Sequence, residues 1–233
     1  MKEINVTING KKVTGREGQT ILELAGENGI DIPTLCYHPE LPPIGSCRVC
    51  VVEVEGSRTL VGSCHTPITE GIVIQTHSPK VLEARKMIVE LLLTSHCGNC
   101  FMCDKANICE LRGLAAELEV GIPRLMGKKR FYPVEDVSPY IVRDLSKCIL
   151  CRRCVRACRE IAKKNIFDVG YRGFDSKIVV DCDRALDKEA CRDCEVCTSF
   201  CPTGALSKKK EPFKEDKRGK PIVVGAGAPE QDT

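Results

Sequence analysis

No tryptophan occurs among the 233 residues, and phenylalanine and tyrosine bring the aromatic share to only 4%. Large rings therefore cannot dominate the core, and so small an apolar inventory is expected to lean on metal ligation. No apolar run approaches the roughly 18 to 20 residues that a membrane-spanning helix needs. The longest candidate, Ile88 to Leu93, is interrupted by Glu90, so no direct membrane insertion is expected. The opening Met1-Lys2-Glu3-Ile4-Asn5 has no apolar stretch of the kind a secretory signal requires, which points to a cytoplasmic location. A formal charge of +3 makes no case for nucleic acid as a partner. Nor is there a Gly-rich dinucleotide fingerprint, because Gly10, Gly15 and Gly18 do not fall in the G-x-G-x-x-G pattern between a strand and a helix.

Cysteine, by contrast, is abundant: there are 17, an odd number, and most fall into ordered sets. Cys148-x2-Cys151-x2-Cys154-x3-Cys158 is matched by Cys191-x2-Cys194-x2-Cys197-x3-Cys201-Pro202, an internal duplication with the spacing of a bacterial two-cluster ferredoxin. A tight loop aims three thiolates at one cubane while the fourth cysteine starts a helix and reaches the other. One 4Fe-4S cluster is thus expected on Cys148, Cys151, Cys154 and Cys201, and another on Cys191, Cys194, Cys197 and Cys158. Arg159 stands where the generic run has proline, after the ligand. Paired CxxC also suits zinc, although zinc needs only two cysteines per loop.

A second set, Cys36-x10-Cys47-x2-Cys50-x13-Cys64, offers four thiolates suited to a 2Fe-2S cluster, but not with plant-type spacing, and a zinc ribbon remains open on spacing alone. A third, His96-x3-Cys100-x2-Cys103-x5-Cys109, suits either a 4Fe-4S cluster or a zinc site of three thiolates and one imidazole. A neutral imidazole in place of a thiolate makes such a site less negative and raises a cluster's potential. Cys97 and Cys182 are left over. Cys97 competes with His96 through the alternative triplet Cys97-x2-Cys100-x2-Cys103, and Cys182 reads as a buried apolar thiol. His38, His65 and His77 read as structural or exposed.

The pattern around these sets predicts an α+β chain. Ile4, Val6 and Ile8 alternate into Asn9-Gly10, a type I′ turn signal, and Lys11 to Thr14 return as a second strand. Thr20 caps a short helix from Ile21, an extended Ile30 to Leu35 follows, and Val49–Val54, Arg58–Val61 and Ile72–Ile74 read as strands. Together they suggest a β-grasp-like domain over 1–77. Ser78-Pro79 opens a helix to about Thr94, and a helical pattern from about Lys105 to Leu118 completes a helical segment over 78–120 that carries the histidine and three cysteines of the third set. An irregular linker over 121–145, a ferredoxin domain over 146–206 and an extended or disordered tail over 207–233 are expected beyond it.

Taken in order, these residues resemble the N-terminal iron-sulfur region shared by the large subunit of complex I, iron-only hydrogenases and NAD-linked formate dehydrogenases. The resemblance covers roughly Glu3 to Leu206. It is carried by Ile32-Pro33-Thr34-Leu35-Cys36, by Gly45 to Val54 with Cys47 and Cys50, by the His96 segment, and by Lys147 to Val155. It implies 2Fe-2S at Cys36, Cys47, Cys50 and Cys64, and a histidine-ligated 4Fe-4S cluster at the third set, with His96 preferred to Cys97. The intact second ferredoxin run, and a chain that stops short of a catalytic domain, are most similar to the stand-alone small diaphorase subunit of NAD-reducing hydrogenases. The implied role is non-catalytic: single electrons relayed between a flavin-containing, NADH-binding subunit and a catalytic redox subunit. An iron-sulfur redox sensor or a structural metal protein is the alternative, which four clusters disfavour because a sensor needs one labile site. The basic groups Lys128-Lys129-Arg130, Arg152-Arg153, Lys163-Lys164 and Lys208-Lys209-Lys210 suit the negative charge of clusters or an acidic partner.

Overall fold

The computed structural model describes residues 2–125, 127–136, 138, 140–186, 191 and 194–209. Strands β1 (Glu3–Ile8) and β2 (Lys11–Arg16) form the expected hairpin, paired from Glu3 with Arg16 to Ile8 with Lys11. Its two turn residues, Asn9 at φ 50° and Gly10 at φ 81°, have the positive φ angles that a type I′ turn demands. Helix α1 (Ile21–Glu27) begins at a capping box in which Thr20 accepts from the Glu23 amide while the Glu23 carboxylate accepts from Thr20. The remaining strands are β3 (Val51–Val54), β4 (Val61–Gly62) and β5 (Val73–Gln75), giving a five-stranded sheet in the order β2-β1-β5-β3-β4. β5 runs parallel to β1, which leaves the inward faces of Ile4, Val6, Ile8 and Ile74 against Ile21 and Leu24. Ile30 to Leu35 forms no strand, because the chain turns there toward Cys36.

Helix α2 (Pro79–Ser95) starts on Ser78, whose hydroxyl accepts from the Val81 amide, with proline in its first turn. The helical pattern expected from Lys105 is split into a single 3-10 turn, Ala106–Ile108, and α3 (Glu110–Glu117). Between them Cys109 is extended, at φ −77° and ψ 113°, which interrupts the helix at a candidate ligand. Val89 of α2 and Leu111, Leu114 and Leu118 at α3 pack with Leu35, Val49, Cys36 and Cys47, so the helices sit on the loops that carry the first cysteine set.

The expected linker and tail are not wholly irregular. β6 (Ile141–Arg143) pairs antiparallel with β9 (Leu206–Lys208), and Ile141 and Leu206 are both buried. The rest of the expected tail, from 210, lies outside the described residues. In the duplicated region, α4 (Arg153–Arg156) runs into a π turn, Ala157–Ile161, and carries Cys154 and Cys158; α5 (Val196–Phe200) carries Cys197 and ends at Cys201. Between the two runs lies a hairpin that the sequence reading did not anticipate, β7 (Phe167–Gly170) with β8 (Lys177–Val180). No helix among the described residues is long and apolar enough to cross a membrane.

Candidate metal centres

The structure brings each of the four sequence-defined sets together. Cys36, Cys47, Cys50 and Cys64 are all buried; Cys47 and Cys50 lie in the loop that leads into β3, and Cys64 follows β4. The Cys47 thiol donates to Cys36 and pulls its pKa down to about 5, while Cys64 does the same for Cys50, to about 6. Cys47 and Cys64 are pushed up in turn. Two of the four therefore favour thiolate without any metal, the charge state that iron requires. His65 lies with its Nδ1 3.5 Å from Cys64 Sγ and is exposed, and the ring of His38 meets that of Phe200 at 4.5 Å between centroids; neither joins a ligand set.

Cys148, Cys151, Cys154 and Cys201 line one enclosed cavity. Burial raises the pKa of Cys148 to about 11 and of Cys151 to about 12, and drives Cys154 well above its ordinary value, with neighbouring thiols adding to the push. Burial also raises Cys197, and the thiols that add to it include Cys191, Cys158 and Cys194. The fourth cysteine of each run thus stands with the first three of the other. Cys148, Cys151, Cys154 and Cys197, crowded and resisting ionisation, are donors that a cationic iron cluster would relieve, so these residues fit the group. Among the described residues, no three His, Cys, Asp or Glu side chains stand close enough to hold a single metal ion. Cys148, Cys151, Cys154 and Cys201 instead surround a cavity, as a polynuclear cluster needs.

His96, Cys100, Cys103 and Cys109 line a further enclosed cavity. His96 caps the C-terminal end of α2, and its Nδ1 accepts from the Gly98 amide at 3.1 Å. Burial, followed by the nearby Lys129 cation, lowers its pKa, a shift toward the neutral imidazole that ligates iron; burial raises that of Cys109. The backbone of Gly204 closes this cavity from the ferredoxin side: a Cβ there would meet Cys103 Sγ at 2.7 Å.

Three buried arginines, of which the sequence reading had singled out only Arg153, join these modules to one another. Arg156 donates through Nη1 to Pro42 O at 2.5 Å and through Nη2 to Cys36 O, joining α4 to the first set. Arg153, expected from sequence to suit the charge of a cluster or an acidic partner, is only 4% exposed and grips Glu110 of α3 at 2.6 and 2.9 Å. Arg85 of α2 donates to Val51 O at 2.9 Å. Ser46 Oγ donates to Leu150 O at 3.1 Å, and the Cys97 amide to Ser146 O at 3.1 Å. Nothing in local spacing marks such residues, since their partners lie up to 120 positions away. Cys182 corrects an expectation: it is exposed, in a left-handed turn at φ 58° between Asp181 and Asp183, with no apolar face to bury against.

The modules match three known families in the same order. A 2Fe-2S iron-sulfur cluster binding domain matches residues 1–79, the NADH-ubiquinone oxidoreductase-G iron-sulfur binding region matches 85–124, and the ferredoxin-like domain of NADH-quinone oxidoreductase subunit 3 matches 138–207. The gamma subunit of the NAD-reducing hydrogenase HoxS from Cupriavidus necator is 32% identical over 210 residues, which cover 89% of this chain and 88% of that protein. The chain belongs to this iron-sulfur family. A solved NAD+-reducing [NiFe]-hydrogenase in its H2-reduced state contains a chain that superposes with a TM-score of 0.77 at 30% identity, over 93% of this chain and 92% of that one. Longer members carry the same region: the NADP-reducing hydrogenase subunit HndD of Solidesulfovibrio fructosivorans is 41% identical over 211 residues, but the chain spans only 36% of its length. Family membership establishes iron-sulfur binding and the N-terminal and C-terminal ferredoxin-like folds.

Proposed function

We propose that the chain is a non-catalytic electron-transfer subunit of a multi-subunit NAD(H)-linked oxidoreductase. It carries one 2Fe-2S cluster on Cys36, Cys47, Cys50 and Cys64, and three 4Fe-4S clusters. These sit on His96, Cys100, Cys103 and Cys109; on Cys148, Cys151, Cys154 and Cys201; and on Cys191, Cys194, Cys197 and Cys158. Single electrons pass between a flavin-containing, NADH-binding subunit and a catalytic redox subunit.

The observation that carries this reading is the physical continuity of the sets. Arg156 touches the Cys36 carbonyl from the helix of Cys154, Gly204 abuts Cys103 three residues after Cys201, and Cys97 next to His96 bonds to Ser146 two residues before Cys148. Bound iron-sulfur clusters supply reversible one-electron transfer. The protein's own contribution is to exclude water from the thiols, to shift His96 toward its neutral form, and to clamp three modules at fixed separations with buried arginines. Placing several such centres in one rigid body serves the movement of electrons over distance.

The test is to isolate the protein anaerobically with its native partners, quantify iron and zinc, and record low-temperature EPR during stepwise reduction by NADH. We expect about 14 irons in this chain and one 2Fe-2S signal beside several 4Fe-4S signals, reduced only when the flavin subunit is present. Zinc in place of iron, or signals that never respond to NADH, would overturn it.

A further inference from the structure

The cavity at the third set holds one more soft donor than a cubane has corners. Cys97, which belongs to none of the four sets, lines it together with His96, Cys100, Cys103 and Cys109. It is 9% exposed, and its Sγ lies 3.9 Å from His96 Nδ1. Its backbone is pinned on both sides, the amide to Ser146 O at 3.1 Å and the carbonyl accepting from Lys129 Nζ at 3.4 Å. Lys147 also lines the cavity, with its ammonium held 2.8 Å from Asp144. Burial opposes that charge, but Asp144 and then the Cys103 and Cys97 sulfurs favour it, so one cation serves both thiols. A structural cysteine of small apolar character would be expected among aliphatic side chains, and no Val, Leu, Ile or Phe lines this cavity.

We propose that Cys97 is a second donor for the cluster corner that His96 takes, so that the site holds a 4Fe-4S cluster in either of two ligand states. In the exchange the iron–nitrogen bond to His96 breaks, an iron–sulfur bond to Cys97 forms, and the Cys97 thiol releases its proton to solvent. No electron moves. A neutral ligand is replaced by an anionic one, so the site gains one negative charge and its reduction potential falls. Lys147 stands where it offsets part of that charge. A single substitution at His96 therefore retunes the centre instead of emptying it.

The proposal rests on the reading that Cys100, Cys103 and Cys109 hold a 4Fe-4S cluster, and the experiment separates the two. The native complex, isolated anaerobically, is compared with complexes carrying His96→Ala, Cys97→Ala, His96→Ala with Cys97→Ala, and Cys100→Ala with Cys109→Ala. Iron per chain and EPR-monitored potentiometric titrations are measured, with the 2Fe-2S signal reporting that the chain remains folded. We expect His96→Ala to keep the native iron content while one midpoint potential moves down, and Cys97→Ala to keep its iron but to hold this cluster only at the higher, His96-ligated potential. The His96/Cys97 double variant should lose about four irons and that signal. If the Cys100/Cys109 variant keeps all its iron, the underlying cluster assignment fails. If that variant loses about four irons but His96→Ala loses the same four, or the His96/Cys97 variant keeps what His96→Ala keeps, the assignment stands and the role of Cys97 is overturned.

Discussion

The sheet near the N-terminus and the duplicated region near the C-terminus are built from different materials. In the first, Ile4, Val6, Ile8, Ile21, Leu24 and Ile74 close over one another, and Cys50 and Cys64 are two thiols among many aliphatic side chains. In the second, Cys154, Cys158, Cys191 and Cys197 stand inside the core itself, with Cys148 and Cys201 packed against it. Among the described residues its regular structure amounts to two separate two-stranded sheets and short helices, whereas the first region has five strands in one sheet. A two-stranded hairpin is marginal by itself in water, and a thiol buries less apolar surface than Leu or Ile. One region has most of its core built from aliphatic side chains; the other sets four candidate ligands among Ile141, Phe167, Ile178 and Val180.

The largest expected effect breaks the chain along that difference. When iron is removed by chelation under reducing conditions, amide exchange should show β7 and β8 losing protection while β1, β2 and β5 keep theirs. Structural metal ligation in small domains contributes about 10 kcal/mol or more, enough to unfold a region that depends on it. Equal loss in both regions would show that the sheet, too, is held by its cluster, and the contrast would collapse.

Arg156 tests how firmly the two regions are joined. Arg156→Gln withdraws a donor from the carbonyls of Cys36 and Pro42, and the buried Cys36 carbonyl left without a partner costs about 1–3 kcal/mol. Thermal unfolding should then separate into two transitions where the native chain shows one. Arg156→Lys should not restore coupling, because a single ammonium cannot reproduce a planar fork aimed at two carbonyls. The glutamine substitution also removes a cation that lies within reach of Cys36, Cys151 and Cys154, so the midpoints of both neighbouring centres should fall in a potentiometric titration. A single unchanged transition with unchanged midpoints would be the contrary result.

A smaller effect is expected where the ferredoxin region meets the His96 cavity. Gly204→Ala places a methyl 2.7 Å from Cys103 Sγ and 3.2 Å from Lys147 Cδ, an overpacking that should cost about 1–3 kcal/mol and perturb one EPR signal. Gly113→Ala, in α3 with nothing near its added methyl, is the matched control and should stabilise by about 0.5–1 kcal/mol. Denaturant midpoints moving the same way for both would remove the argument that this joint is tightly packed.

What could be read from sequence was local. The β1–β2 hairpin followed from Asn9-Gly10, α1 and α2 from Thr20 and Ser78-Pro79, and the cysteine sets from spacings that bring thiols into one loop. What could not be read was long-range or short: the pairing of β6 with β9, three residues each with no turn between them, and the carbonyls that Arg156 would find in another module. Arg152-Arg153 was expected to suit the negative charge of a cluster or an acidic partner, not to enter an ion pair inside the fold. Only packing against α3 shows that Arg153 is buried opposite Glu110. Cys182 was misread for the converse reason, since its exposure follows from three successive positive φ angles at Asp181 to Asp183 that composition does not announce.

The smallest effect concerns a joint that depends on neither aliphatic burial nor iron. Glu90 is buried on α2 and accepts from the Arg124 amide at 2.5 Å, from Nε at 3.2 Å and from Nη2 at 2.9 Å, tying the segment after α3 back to the helix. The hydrogen bonds from the Arg124 side chain, and then from its backbone, hold the carboxyl below its ordinary pKa. With the folded value lower than the unfolded one, near 4.3, the unfolded chain takes up more protons as pH falls. The contribution of this joint is therefore complete above about pH 4.3 and is lost as pH drops through the folded value. The protection factor of the Arg124 amide, measured against its intrinsic exchange rate, should fall over that range in the native chain. Glu90→Gln should start with weaker protection and show a flatter acid limb. Because Arg124 is 78% exposed, the attraction is screened and should weaken further in high salt. A limb as steep in Glu90→Gln as in the native chain would assign the acid sensitivity to another carboxylate.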